Sequence, residues 1–322
     1  MLSKKSQPPL LLSLQKIWHT SSYDALTDLI FFKNHWLLVF RESDSHVFGR
    51  NGVIRILSSE NGHIWTPLCL IEEEGFDLRD PKLSITPDGM LMLLVGASRF
   101  DRNKKRVAHQ SLVAFSRDGK GWEKFYPVLN RHEWLWRITW HQGIAYGISY
   151  RFSDPENRKN EWITTLWKSQ NGVNYQPLTE FMISGQPNES TIRFYPNGQM
   201  VVLMRREAGH DDHAWIGTSF PPYEDWLWHS SSYFFGGPNF LILEDGSMWA
   251  SGRVVYKTPY GEFPKTVVAS MTLSNLFPVI ILPSGGDCSY PGMVYKDRIL
   301  WISYYSSHED STSIYLAKID IG

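Results

Sequence analysis

Two cysteines in 322 residues, Cys69 and Cys288, leave no material for the disulfide framework that staples small secreted domains. The histidines His46, His141 and His308 lack the spacing of metal ligands, so neither a metal nor a cofactor is expected. Charge of one sign is also missing. With 32 basic and 33 acidic residues the formal net charge is -1, and no basic surplus points to nucleic acid or to an anionic membrane. No apolar run reaches the length of a membrane-spanning helix. Lys4 and Lys5 followed by Pro8-Pro9-Leu10-Leu11-Leu12-Ser13-Leu14 imitate a secretory leader, but the apolar run is short and no small-residue cleavage pattern follows. The expectation is a cytoplasmic protein, with secretion by another route compatible with the sequence. A small molecule or a protein is the expected partner.

Aromatic residues are abundant at 14%, including 14 Trp, a composition that favours strands. Three short stretches share the form S-x-D/N-G-x-x-W/Y: Ser59 to Trp65, Ser116 to Trp122 and Ser169 to Tyr175. Their serines at 59, 116 and 169 lie 57 and 53 residues apart. In each, Asp or Asn followed by Gly supplies a left-handed turn, and the aromatic residue folds back beneath it. A degenerate fourth copy runs from Ser219 to Trp226.

A second series supports the first. Hairpin turns centred on positions 35, 89, 143, 198, 246 and 298 are 54, 54, 55, 48 and 52 residues apart. Six repeats of four strands predict an all-β, six-bladed propeller over residues 1–322, a single domain. The sixth repeat has no outer strand of its own, and the otherwise unpaired segment Leu10 to Trp18 is expected to close it.

In such a ring the first strand of each blade starts at one mouth of the central channel and the second returns to it. Counting back from the turns places Leu26, Asp80, Trp134, Glu189, Gly237 and Ser289 there, with Asp24, Asp28, Arg137, Asn239 and Tyr290 close by. Counting forward adds Glu42, Gly96, Tyr150, Arg205, Arg253 and Tyr305, with Arg41 and Arg151 adjacent. Glu189 starts an inner strand outside any solvated charge run. Arg205 is favoured over Arg206 by spacing, and Tyr290 follows a glycine-rich approach, Gly285-Gly286-Asp287.

These residues resemble the sialidase (neuraminidase) superfamily, six-bladed propellers with Asp-box turns, and in particular bacterial sialidase-like or BNR-repeat proteins. Asn188-Glu189-Ser190, followed by Gly198 and Arg205, resembles the family segment that ends in an arginine for the substrate carboxylate. Ser284-Gly285-Gly286-Asp287-Cys288-Ser289-Tyr290-Pro291-Gly292 resembles the segment bearing its tyrosine nucleophile. The resemblance implies a retaining glycoside hydrolase acting on a glycan with an anionic sugar. Tyr290 would be the nucleophile, Glu189 its base and Asp44 the nearest match to the acid/base. Arg205 would hold substrate, with Arg41 or Arg253 beside it. The family's first triad arginine has no counterpart in Tyr23-Asp24-Ala25-Leu26-Thr27-Asp28. Two other readings stand beside this one. Arg79-Asp80-Pro81 resembles the R-D-P motif of furanosidases, which would join Asp80 and Glu189 to Asp24 or Asp28 in a carboxylate triad. The third reading is a non-catalytic propeller that binds a glycan or a protein through its aromatic rim.

Overall fold

The computed structural model describes residues 8–153, 162–208 and 211–322; Lys4 and Lys5 lie outside them. Their regular structure is six antiparallel four-stranded sheets, each ordered from an inner to an outer strand. The inner strands are Tyr23–Phe32, Asp77–Ile85, Trp134–His141, Pro187–Phe194, Gly236–Ile242 and Cys288–Lys296. Each contacts the next in chain order and the last contacts the first, so the sheets form a closed ring of six blades.

The second strands explain why runs such as Leu91-Met92-Leu93-Leu94-Val95 and Val201-Val202-Leu203-Met204 read as continuous apolar sequence. Each is covered on both faces by neighbouring blades, and these side chains are buried throughout. Aromatic contacts seal the seams; Trp36 of blade 1 lies 4.2 Å from Trp301 of blade 6 between ring centroids.

Leu10–Trp18 pairs antiparallel with Ser313–Asp320, from Leu10 opposite Asp320 to Trp18 opposite Ile314. The apolar part of the leader-like segment is thus the outer strand of the sixth blade. The repeated turns sit on the face opposite the mouth, between third and outer strands. In the second of them Ser116 Oγ accepts from the Gly119 amide at 2.8 Å. Asp118 Oδ1 accepts from the amides of Lys120 and Gly121 at 2.9 and 3.0 Å, and Trp122 Nε1 donates to the Gly119 carbonyl at 3.0 Å. The degenerate copy keeps the aromatic anchor, Trp226 Nε1 donating to the Tyr223 carbonyl at 2.9 Å, and the serine, Ser219 Oγ donating to the Asp225 carbonyl at 2.6 Å.

Candidate active site at the channel mouth

Every inner strand carries a β-bulge at the same place. Two inner-strand residues stand opposite one of the second strand between Ala25 and Asp28, Arg79 and Lys82, Leu135 and Ile138, Pro187 and Ser190, Gly236 and Asn239, and Ser289 and Gly292. A bulge frees a residue from the ladder and re-aims its side chain. Four of the freed residues adopt left-handed backbone: Leu26, Asp80, Gly237 and Tyr290, with φ of 63, 49, 60 and 51°. In three of these blades the next residue is proline, Pro81, Pro238 or Pro291, tolerated because the bulge needs no ladder amide there.

Together the bulges aim a tyrosine and two carboxyl groups into one cavity of about 310 Å³. Tyr290 Oη donates to Glu189 Oε1 at 2.5 Å. Arg205 Nη1 spans the pair, 2.7 Å from Glu189 Oε1 and 3.3 Å from Tyr290 Oη. The Gly237 amide donates to Glu189 Oε2 at 2.7 Å. Burial alone would raise the Glu189 pKa, but Arg205 and the hydrogen bonds outweigh it and hold the carboxyl below its ordinary value. Burial and the adjacent Glu189 carboxylate push Tyr290 well above the ordinary phenol value. The resting pair is therefore a neutral phenol on an ionised carboxylate. Proton transfer between them is uphill until charge is drawn off the phenol oxygen.

Asp80 is the other carboxyl that a bulge presents to the cavity. No described residue donates a hydrogen bond to it, and burial raises its pKa against the pull of Lys82 and Arg79. Lys82 lies directly below. It is 3% exposed, its ammonium 4.9 Å from the Trp136 ring centroid, and burial followed by repulsion from Arg137 lowers its pKa to about 8. Blade 3 builds an aromatic wall from Trp134, Tyr150, Phe152 and Trp162, with Tyr150 and Trp162 stacked at 5.4 Å and 6°. A larger cavity of about 730 Å³ lies at the turns of blades 1 and 2 on the opposite face. Its charged lining, Lys33, Glu60, Asp118 and Lys120 among it, belongs to turn residues, and it holds no buried nucleophile or acid pair.

Several expected residues lie elsewhere. Asp44 is on an exposed loop, its Oδ1 accepting from the Arg50 amide at 2.8 Å, and it does not line the cavity. The sequence offered both Asp44 and Asp80 as acids; only Asp80 is at the mouth. Arg41 is 1% exposed and bound to Asp77 at 2.7 Å, so it is a structural ion pair behind the wall. Arg137 is committed to Asp28 at 3.0 Å beneath the floor. Asn239 is buried between the Pro291 carbonyl and Arg193, and Tyr305 is buried behind Asp287. Arg79, Arg205 and Arg253 do line the cavity. Asp24 accepts from the Thr20 and Ser21 amides and takes no part in it. The furanosidase-like triad is therefore incomplete: Asp80 and Glu189 meet at the mouth, and both candidates for the third carboxylate are engaged elsewhere.

Sequence reasoning missed Asp287, Glu207, His46, Phe152 and Trp162 at this site. Asp287 is a hub: it accepts from Tyr305 Oη at 2.7 Å, His46 Nδ1 at 2.8 Å, Arg253 Nη1 at 3.2 Å and also Tyr23 Oη. These partners override burial and hold its pKa below the carboxylate range. Trp162 was findable, because third strands also start at the mouth. The His46 loop carries no such periodic signal. Among the described residues no three His, Cys, Asp or Glu side chains are placed to hold a metal ion.

No protein-family model matches the sequence, and no curated protein matches it. Solved structures do match in shape. A protein of unknown function from Dyadobacter fermentans superposes with a TM-score of 0.83 at 18% identity, over 98% of this chain and 100% of the other. Trypanosoma rangeli sialidase gives 0.71 at 13% identity, over 92% of this chain but 55% of its own, so this chain spans little more than half of that enzyme. Penicillium chrysogenum α-L-arabinanase, solved with arabinobiose, gives 0.67 at 12% identity, over 98% of both chains. The fold is that of the sialidase-like propellers.

Proposed function

We propose that this protein is a retaining glycoside hydrolase with Tyr290 as nucleophile, Glu189 as its general base and Asp80 as acid/base. The observation that carries the reading is the 2.5 Å hydrogen bond from Tyr290 to Glu189, bridged by Arg205. A phenol is a weak nucleophile, and a positioned carboxylate that takes its proton during attack activates it. Tyr290 Oη bonds to the anomeric carbon as its proton passes to Glu189, while the glycosidic C–O bond breaks and Asp80 protonates the departing oxygen. Water, deprotonated by Asp80, then attacks the same carbon, and the leaving phenolate regains its proton from Glu189. Arg205 opposes the negative charge that develops on the phenol oxygen. The half-buried, proton-retaining Asp80 suits an acid role that the exposed Asp44 does not. Structural neighbours named as a sialidase and an arabinanase support the reaction class.

The test is a screen of chromogenic glycosides, followed by Tyr290→Phe, Glu189→Gln and the double variant on the substrate found. Groups that act as one unit are non-additive, so all three variants should lose similar turnover while melting stays close to wild type. Full activity in Tyr290→Phe would remove tyrosine from the mechanism. Independent, additive losses would break the pairing.

A further inference from the structure

Resting on this reading of the pocket, we propose that the sugar it takes is uncharged, because the guanidinium groups that would grip a substrate carboxylate are already gripped by carboxylates of the protein. Arg205 binds Glu189 at 2.7 Å and also Glu207. Arg253 binds Asp287 at 3.2 Å, Arg79 binds Asp77 at 3.0 Å, and Arg151 binds Glu133 at 3.0 Å. Among the described residues these are four of the five arginines that line the cavity, Arg106 being the fifth, and Asp80, Glu189, Glu207 and Asp287 line it with them. An entering anion would meet four guanidinium groups already in ion pairs and four carboxyl groups, and drawing Arg205 or Arg253 away would strip Glu189 or Asp287 of its arginine.

Asp287 carries the argument furthest. Its carboxylate stands on the cavity wall, 28% exposed, and is held as a substrate acid group would be, by an arginine, two phenols and an imidazole. One of those phenols, Tyr23, opens the first inner strand, in the stretch Tyr23 to Asp28 where no arginine is present. The internal carboxylate and the donors around it satisfy one another. An uncharged sugar disturbs none of these pairs. Paired guanidinium groups keep further N–H donors for hydroxyl groups, Asp80 offers oxygens that no described residue occupies, and the stacked Tyr150 and Trp162 present an aromatic wall to the C–H face of a pyranose or furanose.

The experiment compares 4-methylumbelliferyl glycosides of neutral hexoses and pentoses with the glucuronide, the galacturonide and the N-acetylneuraminide. Calorimetric binding of the corresponding free sugars is measured alongside. Neutral glycosides should exceed the acidic ones by about 100-fold or more in kcat/KM. Asp287→Asn, which releases Arg253, should raise the affinity for free glucuronic or N-acetylneuraminic acid by about tenfold. Preference for an acidic glycoside, or no gain of acid binding in Asp287→Asn, overturns the inference while leaving a hydrolase. Absence of all hydrolysis overturns the hydrolase reading instead. The binding data then still decide the charge class: neutral sugars bound ahead of acidic ones uphold it, and acidic sugars bound ahead, or no sugar bound, overturn it.

Discussion

Replacing Gly237 by alanine would test the site without touching a charge. Gly237 has a φ of 60°, and a Cβ built on it would lie 2.8 Å from Tyr290 Cδ2 and 2.9 Å from Cγ. The left-handed backbone costs alanine about 1–2 kcal/mol. Forcing a methyl group against the ring adds about 1–3 kcal/mol, as overpacking does elsewhere. The ring cannot simply recede, because Trp136 and Tyr305 stand 5.5 and 5.8 Å away between centroids. Together these terms predict a loss of about 2–5 kcal/mol. For a chain of this length, with an unfolding entropy on the order of 0.7 kcal/mol per degree, that is about 3–7 °C in Tm. Any tilt that relieves the contact also moves the phenol oxygen off Glu189, and a misplacement of about 1 Å costs about 100-fold in turnover. Gly89→Ala is the control. It has a φ of 78° and no atom within 4 Å of the new Cβ, so it should show the backbone cost alone, about 1–3 °C, with turnover intact. Calorimetric melting and turnover on the screened glycoside are the assays. A Gly237→Ala protein that melts and turns over like wild type would refute the close packing of backbone, nucleophile and base.

The pH profile of kcat/KM should be asymmetric. Glu189 must be ionised, and its lowered pKa keeps it so to lower pH than an ordinary glutamate; Asp80 must be protonated, and its raised pKa moves the alkaline limb above the ordinary aspartate value. Asp80→Asn should remove that limb together with most of the turnover, whereas an unchanged limb would assign it to another group. Deleting residues 10–18 should unseat the sixth blade, because Ser313–Asp320 would become a bare edge with Leu11 and Leu14 gone from its core. The expected drop in Tm is more than about 10 °C, and a peptide of residues 8–19 added in trans should recover part of it; a truncated protein with native melting would show that the ring does not need the strand.

The ring was legible in the sequence because its signals are local and repeated. A turn such as Ser116 to Trp122 satisfies its own hydrogen bonds, and runs such as Val201 to Met204 report burial on both faces. The Tyr290 and Glu189 pair was legible through the counting rule and through resemblance. The counting slipped by one at Ser289 because position 298 is still in the turn between the paired Lys296 and Ile299, whereas position 35 of the first blade already pairs with Phe32. Arg41, Arg137 and Asn239 were expected at the mouth, since spacing along a strand gives depth but not the direction of a side chain. Their carboxylate and amide partners sit on other blades or in loops, as with Arg41 and Asp77 or Arg137 and Asp28. Asp287 was passed over for the opposite reason: its importance lies in four donors drawn from residues 23, 46, 253 and 305, distant in sequence.

The seam of the ring has a mechanical side. Leu10 pairs with Asp320, so the start of the closing strand and the end of its partner leave the sheet at the same point. Tension applied between these two residues runs along the inter-strand hydrogen bonds rather than along the strand axis, because those bonds lie perpendicular to an antiparallel pair. The load falls on one pair at a time, beginning at Leu10 and peeling toward Trp18. A ring that heat must open as a whole can thus be unlatched by a modest pull from one corner, without first disturbing the five blades that carry no seam.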